Sequence, residues 1–187
     1  MAKVHEAITP EIAEFIGRQH MFFVATAPLS EDGHVNLSPK GLDCFRVLGP
    51  QQVGYMDLVG SGNETAAHVL ENGRITFMFC AFDGSPNILR LYGRGRTAYR
   101  GGLEYAGLLG EHFGGQEPPG ARQIVINHFD LAQTSCGYSV PLFDYVDERP
   151  NLQRWAEAKG PEGLDEYRRE KNAVSLDGLP TGMFQAE

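Results

Sequence analysis

Apolar positions first recur at helical spacing at Ile12, Phe15 and Ile16, which share one face. Thr9 is placed to cap this helix, Pro10 suits its first position, and Glu11 complements the dipole there. The pattern then changes to short β-prone runs. Residues 21–27 read as a strand, Glu31-Asp32-Gly33 as a hairpin turn and residues 35–38 as the returning strand. Residues 45–48 and 53–58 form a second pair around Gly49-Pro50. Helical period returns over residues 61–72, with Ala66, Val69 and Leu70 as its buried face and Gly73 as its stop.

Residues 74–82 are a strongly apolar strand, and Asp83-Gly84-Ser85-Pro86 turns the chain. Residues 87–99 are long enough to bend around a barrel, and Gly93 and Gly95 would permit the bend. A helix over residues 103–113 and a Gly/Pro loop over 114–120 precede the last strand signals, at 124–126 and 131–135. Residues 150–171 are charged and helix-prone, and are expected to form two short helices split near Gly160-Pro161. The Gly/Pro-rich tail, 173–187, is expected to lie on a partner or stay loose. Six or seven strands joined mostly by tight turns argue against a doubly wound parallel sheet. The expectation is a mainly β (α+β) fold: a small closed or split antiparallel barrel of six to seven strands with peripheral helices.

The chain of 187 residues suits a single domain that can bury its own core, with the barrel over about 20–145 and a helical extension over about 150–172. A net charge of −8 repels nucleic acid and anionic membrane, so neither is an expected partner. An anionic ligand therefore needs a local positive site. The three cysteines, Cys44, Cys80 and Cys136, form no CxxC pair, so neither a disulfide framework nor a cysteine-based zinc site is expected. Residues 1–19 contain no apolar run suited to a signal peptide, and no stretch approaches the ~20 apolar residues of a membrane span. Together these point to a reduced, cytoplasmic protein.

Three segments could carry chemistry. Ser61-Gly62-Asn63-Glu64 follows a strand and opens a helix. It reads as a capping box, with Ser61 at the cap and Glu64 reaching back, and it also aims backbone N–H groups at one point, where a phosphate would bind. Asp57 and Glu64 oppose a phosphate unless they face away. Asn36, Ser38 and Lys40 alternate with Val35 and Leu37, which places three polar groups on one strand face and a cation at its end. The competing reading is a solvated face. Arg90, Tyr92, Arg94 and Arg96 share one face of the long strand; the competing reading is an outer face paired with the excess carboxylates, which suits Arg96 better than Arg94. Cys136 has no histidine placed by sequence to activate it, and the histidines show no HxH or HExxH spacing, so no metal site is expected. There is neither a GxGxxG nor a Walker loop.

The order of these elements is the stronger signal. A helix leads to the Val-Asn-Leu-Ser-Pro-Lys strand, then Tyr55-Met56-Asp57, then Ser-Gly-Asn-Glu-Thr at a helix start, then Leu-Arg-Leu-Tyr-Gly-Arg-Gly-Arg and Thr-Ser-Cys-Gly-Tyr. Over roughly residues 8–144 the chain resembles the pyridoxamine 5′-phosphate oxidase-like family of FMN-binding split barrels. The resemblance implies a homodimer with FMN at the subunit interface. It places Val35, Asn36, Leu37 and Ser38 along the flavin and ribityl chain, with Lys40 at the phosphate. Tyr55, Met56, Asp57, Ser61, Gly62, Asn63, Glu64 and Thr65 would form the phosphate-binding strand and helix start, and Arg90 or Arg94 would line the site. The true oxidases carry basic residues just after this serine, where Gly62-Asn63-Glu64 has none, so pyridoxamine phosphate oxidation is not expected. The expected function is a flavin-dependent oxidoreductase acting on a small molecule. The alternatives are a deazaflavin-binding reductase and a dimeric split barrel without a cofactor. Haem ligation by His34, His68 or His128 has no supporting spacing.

Overall fold

In the computed structural model, which describes residues 2–184, eight strands form one antiparallel sheet. The elements in chain order are β1 (Lys3–His5), α1 (Pro10–Gly17), β2 (Phe22–Thr26), β3 (Asn36–Lys40), β4 (Phe45–Gly49), β5 (Gln52–Leu58), α2 (Glu64–Asn72), β6 (Arg74–Cys80), β7 (Ile88–Tyr99), α3 (Leu103–His112), β8 (Ala121–Ser135) and α4 (Asn151–Lys171). The sheet runs β3-β2-β6-β7-β8-β5-β4, and β1 pairs with β8 off this path. Its two ends do not meet. The fold is a mainly β split barrel with peripheral helices.

Alternation builds the interior. Phe22 and Val24 of β2, Phe77 and Phe79 of β6, Leu89 and Leu91 of β7 and Ile124, Ile126 and Phe129 of β8 are all buried in one cluster. Phe22 meets Phe45 and Tyr55 edge-on, with ring centroids 5.0 and 5.5 Å apart. Each large side chain so buried contributes about 1.5–3 kcal/mol. Helix α1 closes one side with Ile12, Phe15 and Ile16, and Thr9 Oγ1 accepts from Ile12 N as its cap.

The glycines of β7 are required by space. A Cβ at Gly93 would lie 2.3 Å from His128 O, where the β7–β8 register shifts, and one at Gly95 would lie 2.8 Å from Val69 Cγ1 of α2. Helix α2 ends on Gly73 in the left-handed conformation, φ +71°. In α4, Gly160 at φ +67° breaks the helix into two pieces, as the Gly-Pro pair predicts.

Five local readings are corrected. Strand β1 is additional to the six or seven expected. Residues 124–126 and 131–135 belong to one strand of 15 residues, because the polar Asn127 between them is buried and its Nδ2 donates to Leu91 O. Leu70 is not on the buried face of α2; it is 47% exposed and its Cδ2 lies beside Gly182 in the tail. The cap of α2 is Asn63, not Ser61, and its side chain makes no capping bond. The tail over residues 173–184 is docked rather than loose: Tyr99 Oη donates to Thr181 O at 2.6 Å, and Val174 bridges to Pro180. Met1 and residues 185–187 of the terminal readings lie outside the described residues. Among the described residues no helix is long and apolar enough to cross a membrane.

Candidate functional site

Successive residues of a regular strand point to opposite faces. Arg122 and Gln123 of β8 nevertheless reach the same carboxylate. In the β5–β8 ladder Asp57 pairs with Gln123 but Leu58 pairs with Ala121, leaving Arg122 as the extra residue of a bulge. The bulge turns its side chain onto Asp57. Arg122 Nε and Gln123 Nε2 each donate to Asp57 Oδ2 at 2.8 Å, and Lys40 Nζ donates to Oδ1 at 2.8 Å. Burial alone would push the Asp57 carboxyl up; the Arg122 and Lys40 charges outweigh it and hold the group well below the usual carboxylate range. Two cations around one carboxylate give this trio one net positive charge, with Glu64 as the next carboxylate along the cavity that they border.

The trio is joined to the start of α2. Gln123 Nε2 also donates to Asn63 Oδ1 at 2.7 Å, and Arg122 Nη1 donates to Gly62 O at 2.8 Å. Asn63 Nδ2 reaches Asn172 O at 3.3 Å, and Asn172 Nδ2 donates to Gly60 O at 2.9 Å, so the chain after α4 braces the loop from behind. Glu64 lies over the turn: a Cβ at Gly62 would sit 2.5 Å from its Oε2, and its Oε1 accepts from Leu176 N. From β3, Ser38 Oγ donates to Asn36 Oδ1 at 2.9 Å, while Asn36 Nδ2 donates to Thr26 Oγ1 and Thr65 Oγ1, both at 3.1 Å. Thr26 in turn contacts Nδ1 of the buried His68 at 3.0 Å.

Of these groups, Ser38, Lys40, Asp57, Arg122 and the run from Gly60 to Thr65 border a cavity of about 740 Å³. That volume suits a nucleotide-sized ligand. The segment between β8 and α4 also lines it, contributing Tyr145, Asp147, Glu148 and Arg149. Tyr145 stacks on His20 with centroids 3.6 Å apart and planes 6° from parallel. Cys44 borders the cavity too, its thiol pushed up to about 12 by burial. Among the described residues no group of three or more His, Cys, Asp or Glu is placed to hold a metal ion.

Of the residues expected from sequence, Ser38, Lys40, Met56, Asp57 and the whole run from Ser61 to Thr65 border this one cavity. Asn36 stands behind them through its bonds to Ser38 and Thr65. Val35 and Leu37 are exposed, and Tyr55 is in the barrel core. Arg90 donates to Ser135 Oγ at 3.2 Å and Arg94 to Asn72 O at 2.7 Å; neither borders the cavity. Arg96 pairs with Glu104 at the surface. His34, His68 and His128 do not border the cavity either. Sequence reasoning missed Arg122, Gln123, His20 and Tyr145. The one available signal for Arg122 was its position as a lone cation opening an apolar strand.

Residues 8–134 match the family model described as pyridoxamine 5′-phosphate oxidase. The pyridoxamine 5′-phosphate oxidase family protein ustO of Aspergillus flavus is 39% identical over 191 residues, which cover 94% of this chain and 76% of that one. Among solved structures, HupZ of group A Streptococcus matches with a TM-score of 0.50 and 20% identity, covering 67% of this chain and 91% of that one. A single-residue variant of HupZ matches with a TM-score of 0.51 and 19% identity, covering 68% and 99%. At these identities the structural likeness concerns the fold.

Proposed function

Because the chain belongs to the pyridoxamine 5′-phosphate oxidase family, we propose that it binds a flavin, FMN, in the cavity beside Asp57 and serves as a flavin-dependent oxidoreductase acting on a small molecule. The observation that carries this reading is the pair of cations, Lys40 and Arg122, aimed from two strands at one wall beside a helix N-terminus. The donor set fits a phosphate. Lys40 and Arg122 would hold its charge, and the backbone and hydroxyls of Ser61, Gly62, Asn63 and Thr65 would orient it. Asn36 and Ser38 would meet the polar chain between phosphate and ring. The isoalloxazine itself supplies the electron transfer when bound. Arg122 fills the role that Arg90 or Arg94 was expected to fill.

Leu37, exposed on the end strand β3, and Val35, exposed just before it, offer an apolar edge to a second copy of the chain, which supports a homodimer with the flavin near the interface. A specific observation favours a second reading, a split barrel without a cofactor: Asp57 already satisfies both cations. Titration of the purified protein with FMN separates the two, run in parallel with a deazaflavin. Saturable FMN binding with a flavin absorption band is expected. Binding of the deazaflavin alone would reassign the cofactor, and binding of neither would establish the second reading.

A further inference from the structure

The segment between β8 and α4 that lines the cavity is sparsely held. Residues 139–149 have no regular structure beyond one turn, and their ends are fixed by β8 and α4. Phe143 N donates to Phe82 O at 2.9 Å, Tyr145 stacks on His20, and Leu42 N donates to Glu148 Oε2 at 3.3 Å. Leu142 and Val146 project into solvent, while Phe143, largely exposed, sets its ring against Phe82 with centroids 5.6 Å apart. Few buried contacts and exposed hydrogen bonds mark a segment that opens at low free energy.

Its charge is equally specific. Asp147 and Glu148 border the same cavity as Lys40 and Arg122, with Arg149 as the strap's one cation there. The two cations that would hold a phosphate thus share the cavity with carboxylates of the same chain, Glu64 at the start of α2 and Asp147 and Glu148 on the strap. A phosphate-bearing ligand entering this space meets like charge from the strap and attraction from the two cations.

We propose that residues 143–149 are a self-inhibitory strap. Asp147 and Glu148 oppose the entry of a phosphate, and the Tyr145–His20 stack latches the strap shut. The inference rests on the flavin reading of the cavity. It makes occupancy depend on strap opening: the ligand binds at the rate and affinity that displacement of the strap allows. Loss of the two carboxylates should favour ligands that carry a phosphate and leave neutral ones alone. Loss of the latch should speed entry of both.

The test uses the full-length protein, with FMN and riboflavin as probes and amide hydrogen exchange as a readout independent of turnover. In the double variant Asp147→Asn/Glu148→Gln, FMN affinity should rise about fivefold or more while riboflavin affinity stays unchanged, as removal of ~1 kcal/mol of like-charge repulsion requires. In Tyr145→Ala, exchange over residues 140–150 should accelerate and association of both flavins should quicken. Wild-type binding with unchanged FMN affinity in the double variant would overturn the strap while leaving the flavin site standing. Failure of the wild type and both variants to bind either flavin would overturn the flavin reading and the strap with it.

Discussion

Arg122 Nε donates to Asp57 Oδ2 at 2.8 Å through a bulge that no regular β-ladder would provide. Lys40 holds the other oxygen of the same carboxylate. The two cations differ in what they support. Arg122 is buried and also bonds Gly62 O, whereas Lys40 is partly exposed at the end of an end strand.

Lys40→Ala therefore tests the ligand more than the fold. Arg122 and Gln123 still hold Asp57 Oδ2 in that variant, and only Oδ1, at the more exposed cation, loses its donor. FMN affinity should fall roughly tenfold, the worth of one charge-assisted hydrogen bond, while riboflavin affinity is unchanged. Equal loss for both flavins would place Lys40 away from the phosphate.

Arg122→Ala should instead unfold at markedly lower temperature. It leaves a buried carboxylate short of its main partner, a loss of about 3–5 kcal/mol. For a chain of this size each kcal/mol lowers Tm by roughly 2–4 °C. A Tm within one degree of wild type would show that the pair contributes nothing.

Stability should also fall in acid. The Asp57 carboxyl titrates lower in the folded chain than in the unfolded one. The stabilisation it contributes is thus fully present above the unfolded value, ~3.9, and is lost as pH drops from about 5 through the folded value. Asp57→Asn should be less stable at pH 7, since it leaves Lys40 and Arg122 without their counter-charge, and its stability should depend less on pH below 5. Denaturant titrations at pH 3, 4, 5 and 7 check both statements, and parallel acid limbs in the two proteins would contradict them.

Gly93→Ala is expected to destabilise the barrel by about 1–3 kcal/mol, because the new Cβ meets backbone at His128 O and Phe129 Cα rather than a movable side chain. Gly84→Ala is the contrast: no atom stands in its way, and only the strain of its positive φ, +59°, opposes it. Chemical unfolding of both variants should rank Gly93→Ala as the more damaging.

Thiol reactivity should be graded. Cys44 is buried, with its thiol pushed up to about 12, and burial likewise raises Cys80. Cys136 is exposed. At pH 8 an aromatic disulfide reagent should label one thiol per folded chain quickly and three after denaturation, and Cys136→Ser should abolish the fast phase. Rapid labelling of a second thiol would mean that the cavity around Cys44 opens readily.

Much of the fold was legible because its cause is local. Alternation in β2 and β6, the Thr9 cap of α1, the Gly73 stop of α2 and the Gly160 break in α4 are each written in a few neighbouring residues. The polar strand of Asn36, Ser38 and Lys40 and the run from Ser61 to Thr65 were likewise visible, and they meet at one cavity. What escaped depends on distant chain. Strand β1 joins the sheet by pairing with β8, more than a hundred residues along the chain. Asn127 looks like a break in an apolar run until its Nδ2 is seen to donate to Leu91 O, across the sheet on β7. The cap of α2 moved to Asn63 because Gln123 and Asn172 hold that side chain. Arg122 joined the site only through a register shift, and no spacing in the sequence encodes one.

Asp57 gives Lys40 and Arg122 work to do whether or not a ligand is present. A lineage that abandoned its flavin would still be selected to keep both cations, since losing either leaves a buried carboxylate less well matched. Their retention among descendants would record the architecture of the barrel, and the history of the ligand would be written instead in residues that serve nothing else.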